Sequence, residues 1–473
     1  MTNARQIYSD DFTETPYWWQ DWRPHDDRRD AVPAEADVVI VGAGYAGLSC
    51  ALEFAKSGWS VVVLEADVPG IGASTLSGGQ VSGGVNVGKA PSGKKLDGSI
   101  SEERQNALLT EAAHSYTVFE NILRDNAIEC AYTMAGRINA AWTDAHMAQW
   151  KKRIVKLNEF AKTGARILTR EELRSELATD IYAGGVLLAR AGQVHPSLML
   201  AGLLDAARRA GATVCSEAPV TLIEKTDTAG SGTAGSGTAG SGTAGRTPAY
   251  RVRSARGTVH CRHVVICTNG YTGPLTPALQ RRVVPVVSHQ IATEPLSADL
   301  RATLIPKRRG IAETRRVVNY YRYSPDGTRL MFGGRARFYQ LDRRQSGAVL
   351  RAQMVERFPQ MADVKISHSW GGTVALTLDF LPHLGKTGEG VHYALGCNGS
   401  GVVMMTYLGH KLARLMIEQQ PIESSAYGRA MPTHPLYRGK PWFMPALGSY
   451  YQIRDVLDKQ KQQQQQQKKQ SPA

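Results

Sequence analysis

The residues whose chemistry is easiest to read are three glycines in the run GAGYAG, residues 42–47. Gly42, Gly44 and Gly47 stand at the spacing GxGxxG. That spacing suits a diphosphate: the first glycine permits a tight turn, the second lets backbone approach phosphate oxygens, and the third lets a helix pack closely on a strand. Tyr45 and Ala46 would open that helix, whose unpaired N–H groups and positive dipole end favour an anion. Glu65, followed by Ala66, closes the next apolar run and can accept hydrogen bonds from ribose hydroxyls. A 2′-phosphate on the ribose would meet its charge, which disfavours NADP.

The elements that must hold these residues are legible around them. VVIV (38–41) reads as a buried parallel strand, AGLSCALEFAKSG as a helix ending near Gly58, and VVVL (61–64) as a second buried strand. Strand, helix and strand within about 30 residues form a βαβ unit. A glycine-rich loop follows over 69–88, and residues 101–176 read as largely helical. Residues 195–225 read as helix, glycine stop and strand. Residues 228–245 repeat small residues with nothing to bury and read as a flexible surface loop.

From about 275 to 365 the pattern turns to alternating strands, with a helix near 346–358 and a hairpin turn at SPDG (324–327). The C-terminal KQKQQQQQQKKQSPA reads as disordered. An NAD-binding domain usually continues as regular βα units. This chain returns to strand–glycine–helix chemistry only near its C-terminus, a layout that suits the longer cofactor FAD. The expected fold is α/β: a discontinuous Rossmann-type FAD-binding domain (34–100, 185–274 and 366–425) plus an antiparallel-sheet substrate domain with helices (101–184 and 275–365). An N-terminal arm (1–33) and a C-terminal extension (426–473) flank them. Trp18 and Trp19 would dock the arm onto the body.

With 473 residues and ordinary apolar content, a large core is available. The six cysteines (Cys50, Cys130, Cys215, Cys261, Cys267 and Cys397) form no CxxC pair, so neither a zinc site nor a redox dithiol is supported, and a reducing compartment is expected. The start lacks the basic and apolar stretches of a signal peptide, and no window reaches the roughly 18 apolar residues of a membrane span. Cytoplasmic location is the expectation. Formal net charge is +14, concentrated at 301–345, where twelve Lys/Arg face only Glu313, Asp326 and Asp342. Solvated strand faces explain such a stretch, and so does a field that draws in a carboxylate. No nucleic-acid motif accompanies it.

Several segments together resemble the D-amino-acid-oxidase-like superfamily of FAD-dependent oxidoreductases, over roughly 36–418, with the gamma-glutamylputrescine oxidase branch closest in look. ADVVIVGAGYAGLSCALEFAKSGWSVVVLEA resembles its nucleotide fingerprint. GIGASTLSGGQ resembles the loop beside the flavin, which implies Gly72, Ala73, Ser74, Gly78, Gly79 and Gln80 as cofactor contacts. GQVHPSLMLAGLLDAARRAGA resembles the segment before the adenine strand, which implies Val220. VVICTNGYTG implies Thr268, Asn269 and Gly270. WGGTVALTLDFLPHLG and YALGCNGSGV imply Gly371, Gly399, Ser400, Gly401 and Val402. Two motifs depart from the branch: Leu76 and Ser77 stand where it has Arg-Asn, and Ser400 where it has His. Thr373 and Val374 stand where some sarcosine oxidases carry a flavin-tethering cysteine, so FAD is expected to be noncovalent.

The resemblance implies oxidation of a small amine or amino acid to an imine, with oxygen reduced to hydrogen peroxide. A dry pocket favours the neutral amine. Backbone N–H groups of Ser400, Gly401 and Val402, opening a helix, suit negative charge on the reduced flavin. Tyr321, Arg322, His289, Gln290 and Trp370 are the substrate-side candidates. Arg322 could pair a carboxylate bidentately, and an exposed ladder position explains it equally well. His289 suits a satisfied structural histidine better than a base. Two other readings stay open: a dehydrogenase passing electrons to a quinone or carrier, and a flavin-fold binding or assembly protein.

Overall fold

The computed structural model describes residues 7–83, 100–226, 249–335 and 341–470. Two sheets organise them. The nucleotide sheet orders the strands Val220–Lys225, Tyr250–Ser254, Gly257–Ile266, Glu35–Val41, Val61–Leu64 and Thr213–Cys215, and His392–Leu395 joins it parallel to Gly257–Ile266. Its central pairs are parallel, with Val41 opposite both Leu64 and Ile266. Apolar β-branched residues on both faces make this possible: Val38, Val39, Ile40 and Val63 are wholly buried. Three helices cover the sheet and one another, Tyr45–Lys56, Pro196–Arg209 and Gly401–Ile417.

The second sheet has nine strands, in the order Tyr8–Thr13, Ile366–Leu376, Val284–Thr293, Leu330–Gly334, Asn319–Tyr323, Gly310–Glu313, Arg137–Ala141, Gly184–Leu188 and Ala165–Leu168. Its pairing is antiparallel except at two places. Tyr8–Thr13 runs parallel to Ile366–Leu376, and Gly310–Glu313 runs parallel to Arg137–Ala141. The SPDG hairpin is present: Gly327, at φ 75°, donates its N–H to Ser324 O at 2.8 Å. One face buries Ile311, Tyr321, Phe332, Phe358 and neighbours in a core of their own.

Several sequence expectations need correction. Residues 101–176 hold two long helices, Glu102–Asp125 and Asp144–Glu159, but also the strands Arg137–Ala141 and Ala165–Leu168. Both strands are short, and each is flanked by strong helical periodicity. Residues 185–188 of the strand Gly184–Leu188, and Ile366–Leu376, belong to the nine-stranded sheet, although the expected nucleotide-domain segments included them. A buried strand reads alike in either sheet. The C-terminal segment is a helix from Met444 to Gln470 rather than a disordered tail. Gln and Lys are good helix formers. The helix is anchored by buried Asp455, which accepts from the backbone N–H groups of Arg316 and Val317 and from the Arg316 guanidinium at 3.0 Å. The repeat at 228–245 lies outside the described residues.

No helix among the described residues is long and apolar enough to cross a membrane. Much of the basic stretch is structural. Lys307 and Arg309 bind buried Glu176, Arg315 and Arg316 bind Asp455, and the stretch's own acid Glu313 is taken inside the core by Arg357 from the following helix.

Candidate functional site

A cavity of about 630 Å³ runs from the C-terminal ends of the nucleotide-sheet strands to the nine-stranded sheet. At its nucleotide end lie Gly42, Gly44, Tyr45, Ala46, Glu65, Ala66, Val220, Thr268 and Asn269. Gly42 turns at φ 104°, and a Cβ there would stand 3.1 Å from Cys267 O. Gly47 does not line the cavity. Its missing Cβ would fall 1.9 Å from Gly42 O, so it packs the helix onto the turn. Gly44 caps the Tyr45 helix without a side chain of its own, and the Tyr45 N–H donates to Ser74 Oγ at 3.2 Å, which leaves the next N–H groups of the first turn to serve a ligand. Glu65 accepts from the Ala43 N–H at 2.7 Å, and burial raises its pKa despite those backbone bonds.

The opposite wall is the second glycine corner, with Asn398, Gly399, Ser400, Gly401 and Val402 lining the cavity. Asn269 Oδ1 accepts from the N–H groups of Gly396 and Cys397 at 3.0 and 3.3 Å, tying the two motifs together. Ser400 opens the Gly401–Ile417 helix without a side-chain cap. Its own N–H donates to Cys397 O at 2.8 Å and is not free for the expected charge stabilisation, which leaves the N–H groups of Gly401 and Val402 as the candidates. Gly270 and Gly371 are displaced from the cavity: Gly270 faces the Thr373 methyl and Gly371 faces the His289 ring. Their neighbours Gly372, Thr373 and Val374 line it instead.

Between the two corners runs the loop of Gly72, Ala73, Ser74, Leu76, Ser77, Gly78, Gly79 and Gln80, all facing the cavity. Four donors clamp its backbone, three of them from behind the loop and one, Gln290, from the cavity side. The Trp18 indole donates to Ser77 O at 2.9 Å, and the Trp370 indole and Gln290 amide donate to Leu76 O at 3.1 and 2.8 Å. Arg322 donates to Gly79 O at 3.0 Å and Val194 O at 2.8 Å. Trp19 completes the docking of the arm through Thr75 Oγ1.

This arrangement corrects four expected substrate contacts. Arg322 is buried beneath the loop over the Trp18 ring, where desolvation pulls its pKa down to about 9, and it lines no cavity. Trp370 is buried against Trp18 and holds the loop. Tyr321 points into the opposite core, stacked on Phe332 with its hydroxyl on Tyr182. His289 is buried with Nδ1 unpartnered, and burial lowers its pKa. Strand alternation explains the last two, because successive side chains face opposite sides. The cavity takes Tyr320 rather than Tyr321, and Ser288 and Gln290 rather than His289.

Arg137, Tyr320, Ser288 and Arg335 were not expected. Tyr320 shares a hydrogen bond with Ser288 at 3.1 Å, and its ring approaches Gly78. The available signal was the period-two parity of 319–323 and 284–293, anchored on Phe332 and Ile291 as core residues. For Arg137 the strand is hidden in the sequence by the helical periodicity of the segments on both sides of it.

The donors present suit a flavin nucleotide. Two helix N-termini without side-chain caps open on one cavity, the acid Glu65 lines it beside the first, and Gly44 leaves space that a Cβ would close onto Ser74 Oγ at 3.0 Å. Residues 37–415 match the family model DAO, FAD dependent oxidoreductase. Gamma-glutamylputrescine oxidoreductase of Escherichia coli (strain K12) is 30% identical over 429 residues, spanning 89% of this chain and 93% of that protein. Among solved structures, L-proline dehydrogenase from P. horikoshii superposes with a TM-score of 0.65 at 16% identity, covering 82% of this chain and 95% of that one. Glycine oxidase from Geobacillus kaustophilus gives 0.64 at 19%, covering 86% and 99%.

Proposed function

The chain belongs to the DAO family of FAD dependent oxidoreductases, and from that premise we propose that it oxidises the CH–NH bond of a small amine of the gamma-glutamylputrescine kind, or of an N-substituted amino acid, to an imine. Oxygen is the proposed acceptor. One C–H and one N–H bond break, and their two electrons and two protons leave as hydrogen peroxide. FAD, bound noncovalently, supplies the two-electron chemistry when present. The observation that carries this reading is the single cavity on which both glycine corners and the polar face of the nine-stranded sheet open.

Within it, Gly42, Gly44 and the Tyr45 helix N-terminus would hold the diphosphate, and Glu65 the ribose. The Gly401 and Val402 N–H groups, at the dipole end of their helix, favour negative charge at the ring-binding end. The clamped loop at 76–79 fixes one wall, so positioning costs little motion during reaction. Ser288, Gln290 and Tyr320 supply hydrogen-bonding groups on an otherwise buried sheet, which favours the neutral amine by desolvation.

The test is anaerobic mixing of the FAD-loaded protein with gamma-glutamylputrescine, N-alkyl amino acids and plain amino acids. Bleaching of the flavin band by one amine class is expected, with about one peroxide per turnover in air. A flavin that no amine bleaches sinks the reading. Turnover that needs an artificial acceptor and yields no peroxide sinks the oxygen assignment alone.

A further inference from the structure

The cavity's charged groups are segregated. Among the described residues its carboxylates, Glu65 and Asp67, stand at the nucleotide end, and its two cations stand at the nine-stranded sheet, Arg137 in a strand and Arg335 directly after one. Arg137 opens the strand Arg137–Ala141, opposite Gly310 on one side and Leu188 on the other. One guanidinium N–H reaches Ser82 Oγ at 3.2 Å. Its Nε is buried and finds no hydrogen-bond partner, and among the described residues no carboxylate lies within ion-pair distance of it. Three arginines on or beside the sheet that are shut away from water are compensated. Arg357 has Glu313 and Asn319, Arg309 has Glu176, and Arg322 has three backbone carbonyls. Arg137 alone among these faces the cavity with donors to spare. Leaving a buried cation without an anion costs several kcal/mol.

Resting on the oxidation proposed above, we infer that Arg137 receives a carboxylate of the substrate, at a distance from the reacting C–N bond, and that Arg335 keeps this end of the cavity positive. The substrate class is therefore an amine carrying a remote carboxylate. Desolvation, which draws the Arg137 pKa down to about 10, leaves the group charged at neutral pH and raises the gain from an anionic partner. Arg335 lies close enough to Tyr320 for the two to influence one another electrostatically, which places a cation beside the polar groups that line the cavity floor.

The experiment compares wild type, Arg137→Gln and Arg137→Lys, each loaded with FAD. Glutarate, a dicarboxylate without an amine, is titrated against the flavin spectrum. The reductive half-reaction is measured with gamma-glutamylputrescine and with 4-aminobutanoyl-putrescine, the same molecule lacking the carboxylate. The expected result is glutarate binding weakened at least about tenfold in Arg137→Gln, equivalent to about 1.4 kcal/mol, with partial recovery in Arg137→Lys. KM for gamma-glutamylputrescine rises similarly while kcat stays within about threefold. The decarboxylated amine is insensitive to the substitution. Equal glutarate affinity in wild type and Arg137→Gln overturns the inference. So does a wild type that handles the two amines alike, a result needing no variant to fold. If no amine bleaches the flavin, the proposed oxidation fails, and the glutarate titration still decides the role of Arg137.

Discussion

Arg322 shows how one residue type can serve two purposes in neighbouring places. It lies on the strand that supplies Tyr320 to the cavity, yet its guanidinium is spent on the carbonyls of Gly79, Val194 and Tyr323. Truncation would strand those buried acceptors and uncover Trp18. Arg322→Ala is expected to lose about 3 kcal/mol of stability, seen as a lower urea midpoint, together with weaker flavin retention as the 76–79 loop loosens. A carboxylate clamp would instead raise KM for an acidic substrate at unchanged stability. The nucleotide-site residues Gly42, Gly44, Glu65 and Val402 were legible in the sequence because each has a local reason to be there: a turn, a close approach or a helix start. The substrate-side residues had none. A strand's facing depends on which residues the rest of the fold buries, and Tyr320 and Tyr321 differ only in that.

At the scale of elements, the crossing of the Tyr45–Lys56 and Gly401–Ile417 helices holds both N-termini toward the cavity. The crossing depends on Gly409, where a Cβ would fall 2.0 Å from Ala46 O. Gly409→Ala must push the helices apart, at about 1–3 kcal/mol. Weaker FAD binding and a lower Tm are expected together. Gly388→Ala, at a position with open space around it, is the control. Equal FAD affinity in the two variants would refute the coupling. The βαβ unit was readable because its periodicity switches twice within a short span. The strand Arg137–Ala141 was not, since five residues between two long helices carry little pattern of their own, and its partners are set by tertiary pairing with Gly310–Glu313 and Gly184–Leu188. The Met444 helix was missed for a related reason: its composition says little, and a single carboxylate, Asp455, decides where it docks.

Across the whole molecule, acid stability should track the ion pair inside the core of the nine-stranded sheet. Burial opposes ionisation of Glu313, but Arg357, Arg315 and the Tyr182 hydroxyl more than offset it and hold the carboxyl below its ordinary value of 4.5. A depressed folded-state pKa contributes stability that is fully present above about 4.5 and is lost as pH falls through the lower folded value. Glu313→Gln removes that dependence and leaves buried Arg357 with only the half-exposed Glu356 as an anion, a loss of about 3 kcal/mol. Urea midpoints measured from pH 6 to pH 3 should be lower throughout for the variant and fall less steeply below pH 4.5. An unchanged slope would assign acid sensitivity to other carboxylates. The Tyr8–Thr13 strand carries a consequence for how the protein is made. It pairs with Ile366–Leu376, and 357 residues separate Ser9 from the carbonyl it binds at Ile366. At roughly 5–20 residues per second, a ribosome takes on the order of 20–70 seconds to produce that partner. The strand is therefore made long before its partner, and Trp18 behind it must wait as long for Trp370, against which it is buried.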